Sequence, residues 1–184
     1  MILPKYCHQP KSLGFTLIEL IVIISLISIL AVSAYSRFTG PSGYAEYTYQ
    51  ARLISALRHI QTRAMFDTRK NLCFQVNFSA SPSAFGPPEF SYETPSINST
   101  TCETNIDYSN PDYLVTSATE MADSKVSLVA QDSGGTPYEY IRFDSLGRPQ
   151  TASGSCNPTC KIELTGESTV KVCVESQGYI HACD

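Results

Sequence analysis

KSLGFTLIEL occupies residues 11–20, and IVIISLISILAVSA follows at 21–34 without a single charge. The reading of this stretch decides the fold, because it determines whether the chain opens with a core helix, a discarded signal or an anchor. From Phe15 to Ser36 the only charged residue among 22 is Glu19. At about 1.5 Å per residue a helix of that length spans roughly 33 Å, close to the ~30 Å hydrocarbon core of a bilayer. Lys5 and Lys11 precede the run with no acidic residue beside them. That asymmetry places the N-terminus in the cytoplasm and the rest of the chain across the membrane. Glu19 does not fit this picture without a partner. A carboxylate costs roughly 2.5–3.5 kcal/mol near the centre of a membrane helix and less near its end.

Two plain readings compete. In a secretory signal peptide, Lys5 and Lys11 form the basic region, the Ile/Leu run the apolar region, and Val32-Ser33-Ala34 a small-residue cleavage site. The other is an uncleaved single-pass anchor. Neither gives Glu19 a role.

The 184 residues suffice for one domain plus an anchor. The net charge is −4, and without the first fourteen residues 11 basic groups face 17 acidic ones. That balance argues against general binding to a phosphate backbone, which needs clustered Lys and Arg, so no nucleic-acid partner is expected. Arg52, Arg58 and Arg63 read as a solvated helix face rather than a phosphate stripe. No Ser/His/Asp set and no phosphate loop is present, so neither catalytic residues nor a cofactor are expected.

Cys7 precedes the apolar run, and Cys73, Cys102, Cys156, Cys160, Cys173 and Cys183 follow it. An even set beyond a membrane segment indicates an oxidising compartment and disulfides. Six cysteines allow fifteen connectivities. Neighbour pairing gives Cys73–Cys102, Cys156–Cys160 and Cys173–Cys183. The last pair shares a face of a hairpin without lying directly opposite, so the chain end must curl to bring the two together. The alternative is tetrahedral zinc held by Cys156, Cys160, Cys173 and Cys183. The paired C-x₂-C spacing is lacking, and no metal is expected.

Beyond the apolar run, Gly40-Pro41 and Gly43 break the helix over 38–44. Leu53, Leu57, Ile60 and Ala64 then recur at helical spacing, predicting a helix from about Ala45 to Phe66. NLCFQVNF (71–78) alternates Leu72, Phe74, Val76 and Phe78 with Cys73, Gln75 and Asn77, predicting a half-buried strand. Residues 80–113 read as a long aromatic-bearing surface loop. Short strands follow at 126–130, 138–143, 161–164, 169–174 and 179–183, with turns at SLGRP (145–149), TGES (165–168) and ESQG (175–178). One register sets Ile162 and Leu164 beside Val172 and Val170, with Glu163 opposite Lys171. A helix followed by an antiparallel sheet is an α+β domain, here residues 45–184.

GFTLIEL, Gly14 to Leu20, resembles the processing site of type IV prepilins: a short basic leader ending in Gly, then Phe, then Thr-Leu-hydrophobic-Glu, then an apolar helix. The resemblance implies a leader, 1–14, removed by prepilin peptidase between Gly14 and Phe15, and N-methylation of the new Phe15 amine by the same system. It implies a pilin-like fold, with a long N-terminal helix whose first half (15–37) spans the membrane and whose second half packs on the sheet. It also gives Glu19 a partner, the N-terminal amine of a neighbouring subunit. The mature chain is then expected in the inner membrane, its C-terminal domain in the periplasm, until the assembly machinery moves it into a helical bundle with other pilin subunits at the cell surface. YTYQARLISALRHIQTRAM (47–65), FDSLGRP (143–149) and KVCVESQGYIHAC (171–183) are similar to minor pilins and pseudopilins with GspH/FimT-like domains, including the MSHA type. A type II secretion pseudopilin and a pilus-tip adhesin or DNA receptor are the alternatives within this reading.

Overall fold

The computed structural model describes residues 16–38, 43–69, 72–88, 102–111 and 113–183, the side chains of 32–38 and 155 excepted. The chain divides into two units, Met1–Gly40 and Pro41–Asp184. In the first, a single helix, α1 (Leu17–Phe38), is described. Gly14, Phe15 and most of the expected break lie outside the described residues; Gly43 and Tyr44 form a turn ahead of the next helix.

The second unit is α+β, with two antiparallel sheets. Helix α2 (Ala45–Phe66) opens it. Strands β1 (Gln75–Ala80) and β2 (Ser83–Gly86) follow, then α3 (Ala118–Asp123) and β3 (Ser127–Asp132). Next come β4 (Tyr140–Phe143), β5 (Pro149–Thr151), β6 (Gly154–Ser155), β7 (Thr159–Thr165), β8 (Thr169–Glu175) and β9 (Ile180–Cys183). The sheets run in the orders β2-β1-β4-β5-β6 and β3-β7-β8-β9.

Helix α2 forms because its apolar residues fall on one stripe. Ala45, Tyr49, Leu53, Ala56, Leu57, Ile60 and Ala64 are all buried. The stripe lies chiefly on β8 and β9. In the second sheet the strands alternate as half-buried strands must, sending Leu128, Ala130, Ile162, Leu164, Val170 and Val172 into the core. The β7–β8 register pairs Ile162 with Val172, Leu164 with Val170 and Glu163 with Lys171, as the sequence predicts. A slip by one residue would turn all of these apolar side chains to the opposite face.

Four expectations are corrected. The arginines of α2 do not form a simple solvated face. Arg52 pairs with Glu120 of α3, Arg58 donates to Ile180 O at 2.7 Å, and Arg63 lies 3.6 Å from Asp67. Each ties the helix end or a neighbouring element in place. Residues 80–113 are not uniformly loop: β2 lies within them, and α3, capped by Ser117 Oγ accepting from Glu120 N–H, follows shortly after. The SLGRP turn, expected over 145–149, ends one residue earlier. Asp144 Oδ1 accepts the N–H groups of Leu146 and Arg148, both at 2.9 Å, and Pro149 already begins β5.

The largest correction concerns β1. Alternation predicts that Gln75 and Asn77 face water, yet both are 0% exposed. The segment from Cys102 to Ile106 lies across that face as a strap. Gln75 Nε2 donates to Asn77 Oδ1 (2.7 Å) and Glu103 O (2.9 Å), while Asn77 Nδ2 donates to Glu103 O (3.0 Å) and Asn105 O (2.8 Å). Burial is tolerable because these amides meet backbone carbonyls that also need donors. The Cys73–Cys102 disulfide pins the start of the strap, and a bridge between Pro88 and Ile106 pins its far end.

Candidate functional site

The site that the sequence singles out lies at the start of α1. Thr16 sits at the N-cap, and its Oγ1 accepts the Glu19 N–H at 3.3 Å. Thr16 O accepts the Leu20 N–H at 3.2 Å, the first helical bond. Thr-x-x-Glu at these positions is a capping-box sequence, so Glu19 is the third residue of the helix. Four N–H groups at a helix start lack intrahelical acceptors, and the helix dipole favours an anion there. Glu19 therefore sits where its own helix stabilises a negative charge, before any partner is counted. The role of Thr16 is written in the sequence as T-x-x-E, though the charge at Glu19 is the more conspicuous feature.

The rest of α1 is apolar on all sides. Leu17, Ile18, Leu20, Ile21, Val22, Ile23, Ile24, Leu26 and Ile27 are all exposed, Ile23 least at 43%. A helix that is hydrophobic all round needs lipid or other helices about it. The two serines of α1 whose side chains are described fit such surroundings. Ser25 Oγ donates to Val22 O at 2.8 Å and Ser28 Oγ to Ile24 O at 2.7 Å, so neither hydroxyl proton is presented to an apolar neighbour. Among the described residues no helix is long and apolar enough to cross a membrane. The described side chains of α1 run only from Leu17 to Ala31, about 22 Å of helix against a core of about 30 Å. The expected span over 15–37 thus rests on the sequence.

In the globular unit the cysteines are joined Cys73–Cys102, Cys156–Cys160 and Cys173–Cys183. These bonds take up the four thiolates that the zinc alternative requires. Among the described residues no three His, Cys, Asp or Glu side chains gather as a metal-binding set. Cys183 is paired with Lys171 in the β8–β9 ladder and so is diagonal to Cys173, yet their Cα atoms are 5.8 Å apart. The close approach of this diagonal pair at the chain end is what lets the bridge form.

One buried charge was not singled out in the sequence. Glu46, in the first turn of α2, is 1% exposed, and its Oε1 accepts the Ser168 N–H at 3.0 Å. It holds the β7–β8 turn against the start of α2. A Cβ at Gly166 would overlap the Glu46 carboxylate, so that turn residue must stay small. The Ser168 N–H holds the Glu46 carboxyl below its ordinary value of 4.5, against the opposing effect of burial. A carboxylate with a depressed folded-state pKa stabilises the fold fully above its unfolded value, and the contribution is lost as pH falls through the lower folded value. Melting temperature followed against pH should therefore show wild type above Glu46→Gln at neutral pH, with the gap closing as the pH drops below about 4.5. A gap that does not change with pH would remove the charge from this account.

No curated protein and no solved structure matches the chain. Residues 9–35 match the prokaryotic N-terminal methylation motif, which takes in Gly14, Phe15 and Glu19 together with the capped start of α1. The match supports a type IV pilin-like protein, a structural subunit that prepilin peptidase processes, the inner membrane anchors, and other pilins join in a pilus or pseudopilus.

Proposed function

We propose that the chain is a minor type IV pilin of the MSHA type, stored in the inner membrane through α1 and drawn into a filament after its leader is removed. The observation that carries the pilin part of this reading is the methylation motif at residues 9–35 running directly into a helix that is apolar on every exposed face; the minor, MSHA-type part rests on the resemblance of residues 47–65, 143–149 and 171–183 alone. Cleavage falls between Gly14 and Phe15, where the absent Gly side chain lets a protease approach the backbone. The methylated Phe15 amine and the Glu19 carboxylate then supply opposite charges one helical turn apart, and in a filament that pairing fixes axial register between subunits. A buried charge is tolerable when so paired. The three disulfides suit a domain held in the oxidising periplasm.

Mass spectrometry of protein purified from membranes is the test. Wild type is expected to begin at methyl-Phe15, and Gly14→Val to retain residues 1–14 and yield no pili. A mature N-terminus after Ala34 would replace this reading with a secretory signal. Glu19→Leu is expected to be processed normally and to fail in assembly; pili in normal number from that variant would remove the register role. A type II secretion pseudopilin uses the same motif. A deletion strain that keeps its pili but loses protein secretion would select that reading instead.

A further inference from the structure

Tyr44 and Tyr47 lie in the open at the start of α2, 79% and 53% exposed. The end of the globular unit that carries them is built from three elements. Glu46 Oε1 accepts the Ser168 N–H at 3.0 Å, which sets the β7–β8 turn beside the first turn of α2. Tyr49 Oη and Ser124 Oγ share a hydrogen bond of 2.7 Å, which brings the end of α3 to the same place. Ser127 Oγ donates to Thr165 O at 3.2 Å and joins the start of β3 to that turn. The two tyrosines therefore stand on a fixed support. The exposed charges around them nearly cancel, with Asp123 and Glu167 acidic and Lys125 basic. Along the exposed side of α2, Thr48, Ala51, Ser55 and Thr62 follow, so exposed apolar side chains return only at its far end, with Met65 and Phe66.

What meets this end follows from the chain just before it. The apolar run closes with Tyr35-Ser36-Arg37-Phe38, aromatic and basic residues of the kind that mark a bilayer edge. Six peptide units lead from Phe38 to Tyr44, a reach of at most about 22 Å. Tyr47 follows within one turn of the same helix. A tyrosine has an apolar ring and a polar tip, so it gains most where hydrocarbon gives way to headgroups. A surface with little net charge meets a zwitterionic headgroup layer without repulsion.

We propose that, while α1 is held in the membrane, Tyr44 and Tyr47 rest in the headgroup layer of the same bilayer and seat the globular unit on it. The inference rests on the reading of α1 as a membrane anchor. The chain holds no tryptophan, so a single replacement reports on one position. Full-length Tyr44→Trp, Tyr47→Trp and Phe66→Trp are each reconstituted in phosphatidylcholine vesicles that contain a lipid with a nitroxide on its headgroup. Phe66 is as exposed as Tyr44 and serves as the reference, 22 residues further along the chain and about 33 Å along the helix. Quenching at positions 44 and 47 is expected to be about threefold that at 66. Adding Tyr47→Ser to Tyr44→Trp should lower the quenching at 44. Equal quenching at the three positions overturns the proposal. So does emission from position 44 that ignores the nitroxide and shifts only as protein density in the vesicle rises, which would mark a contact between subunits. Ile27→Trp with brominated acyl chains keeps the two readings apart. Quenching at 27 without quenching at 44 and 47 removes this proposal alone; no quenching at 27 removes the anchor reading and the proposal with it.

Discussion

Cys73→Ala with Cys102→Ala is expected to lower the unfolding free energy of the globular domain by about 3–4 kcal/mol. The bridged residues are 29 apart in sequence, against 4 and 10 for the other two disulfides. On a chain-entropy basis those loops correspond to about 3.6, 1.9 and 2.7 kcal/mol respectively. The first bridge is therefore expected to matter most, and the structure adds a second reason. It holds the strap that covers Gln75 and Asn77. Once the strap loosens, two buried amides exchange backbone carbonyls for water, and the face of β1 opens. Asn77→Leu tests the same strap without touching the disulfide. It removes both donors that Asn77 Nδ2 directs at Glu103 O and Asn105 O, and the acceptor for Gln75 Nε2. Leaving such groups unpaired in the interior costs about 2–4 kcal/mol in total. Asn77→Asp should be worse than Asn77→Leu, because it sets a carboxylate against two carbonyl oxygens. Denaturant unfolding with the other disulfides intact ranks these variants. If Asn77→Asp proved milder than Asn77→Leu, the strap would not be held by donation from residue 77.

How far the fold could be read from sequence depends on the range of the interaction involved. Helix α2 was legible because Leu53, Leu57, Ile60 and Ala64 carry its period within the segment itself. The β7–β8 register was legible because a tight turn at 165–168 forces adjacent strands to pair. Gln75 and Asn77 were misread because period-2 alternation reports polarity, and polarity equals exposure only when nothing lies over the face. What covers them is backbone some 28 residues away, brought there by a disulfide and recognised through carbonyls that every residue possesses. No side-chain pattern marks such a partner. The arginines of α2 failed in the same way, since Ile180 O and the Glu120 side chain come from distant elements. At the N-terminus the motif itself was legible, while the local role of Thr16 was hidden behind the more conspicuous charge at Glu19. The meeting of the 144–148 and 175–178 turns was not legible at all. Turns reveal where the chain reverses but not which other turn they meet.

The meeting of those two turns gives the other large effect. Gly178→Ala is expected to destabilise the domain by roughly 3–5 kcal/mol, summed from backbone strain, a steric overlap and lost hydrogen bonds. Gly178 has φ +91°, a region that an L side chain enters only at a cost. Its new Cβ would also overlap the Gly147 carbonyl oxygen and crowd Gln61 Nε2. A carbonyl oxygen cannot rotate away as a side chain can, so one turn must move, and the two bonds from Gln61 are lost with it. Two other glycines separate the causes. Gly147 has φ +75°, but its added Cβ would meet the Met65 sulfur and the Gln61 side chain, both of which can shift. Gly135 has φ +83° and would meet nothing within 4 Å. The expected order of damage is therefore Gly178→Ala, then Gly147→Ala, then Gly135→Ala, the last costing only about 1 kcal/mol of backbone strain. Equal effects at all three would mean that φ alone decides and that the turns do not press on each other. That order, once found, would show instead that α2, through Gln61, and the backbone contact of Gly178 with Gly147 together set the spacing of the two turns.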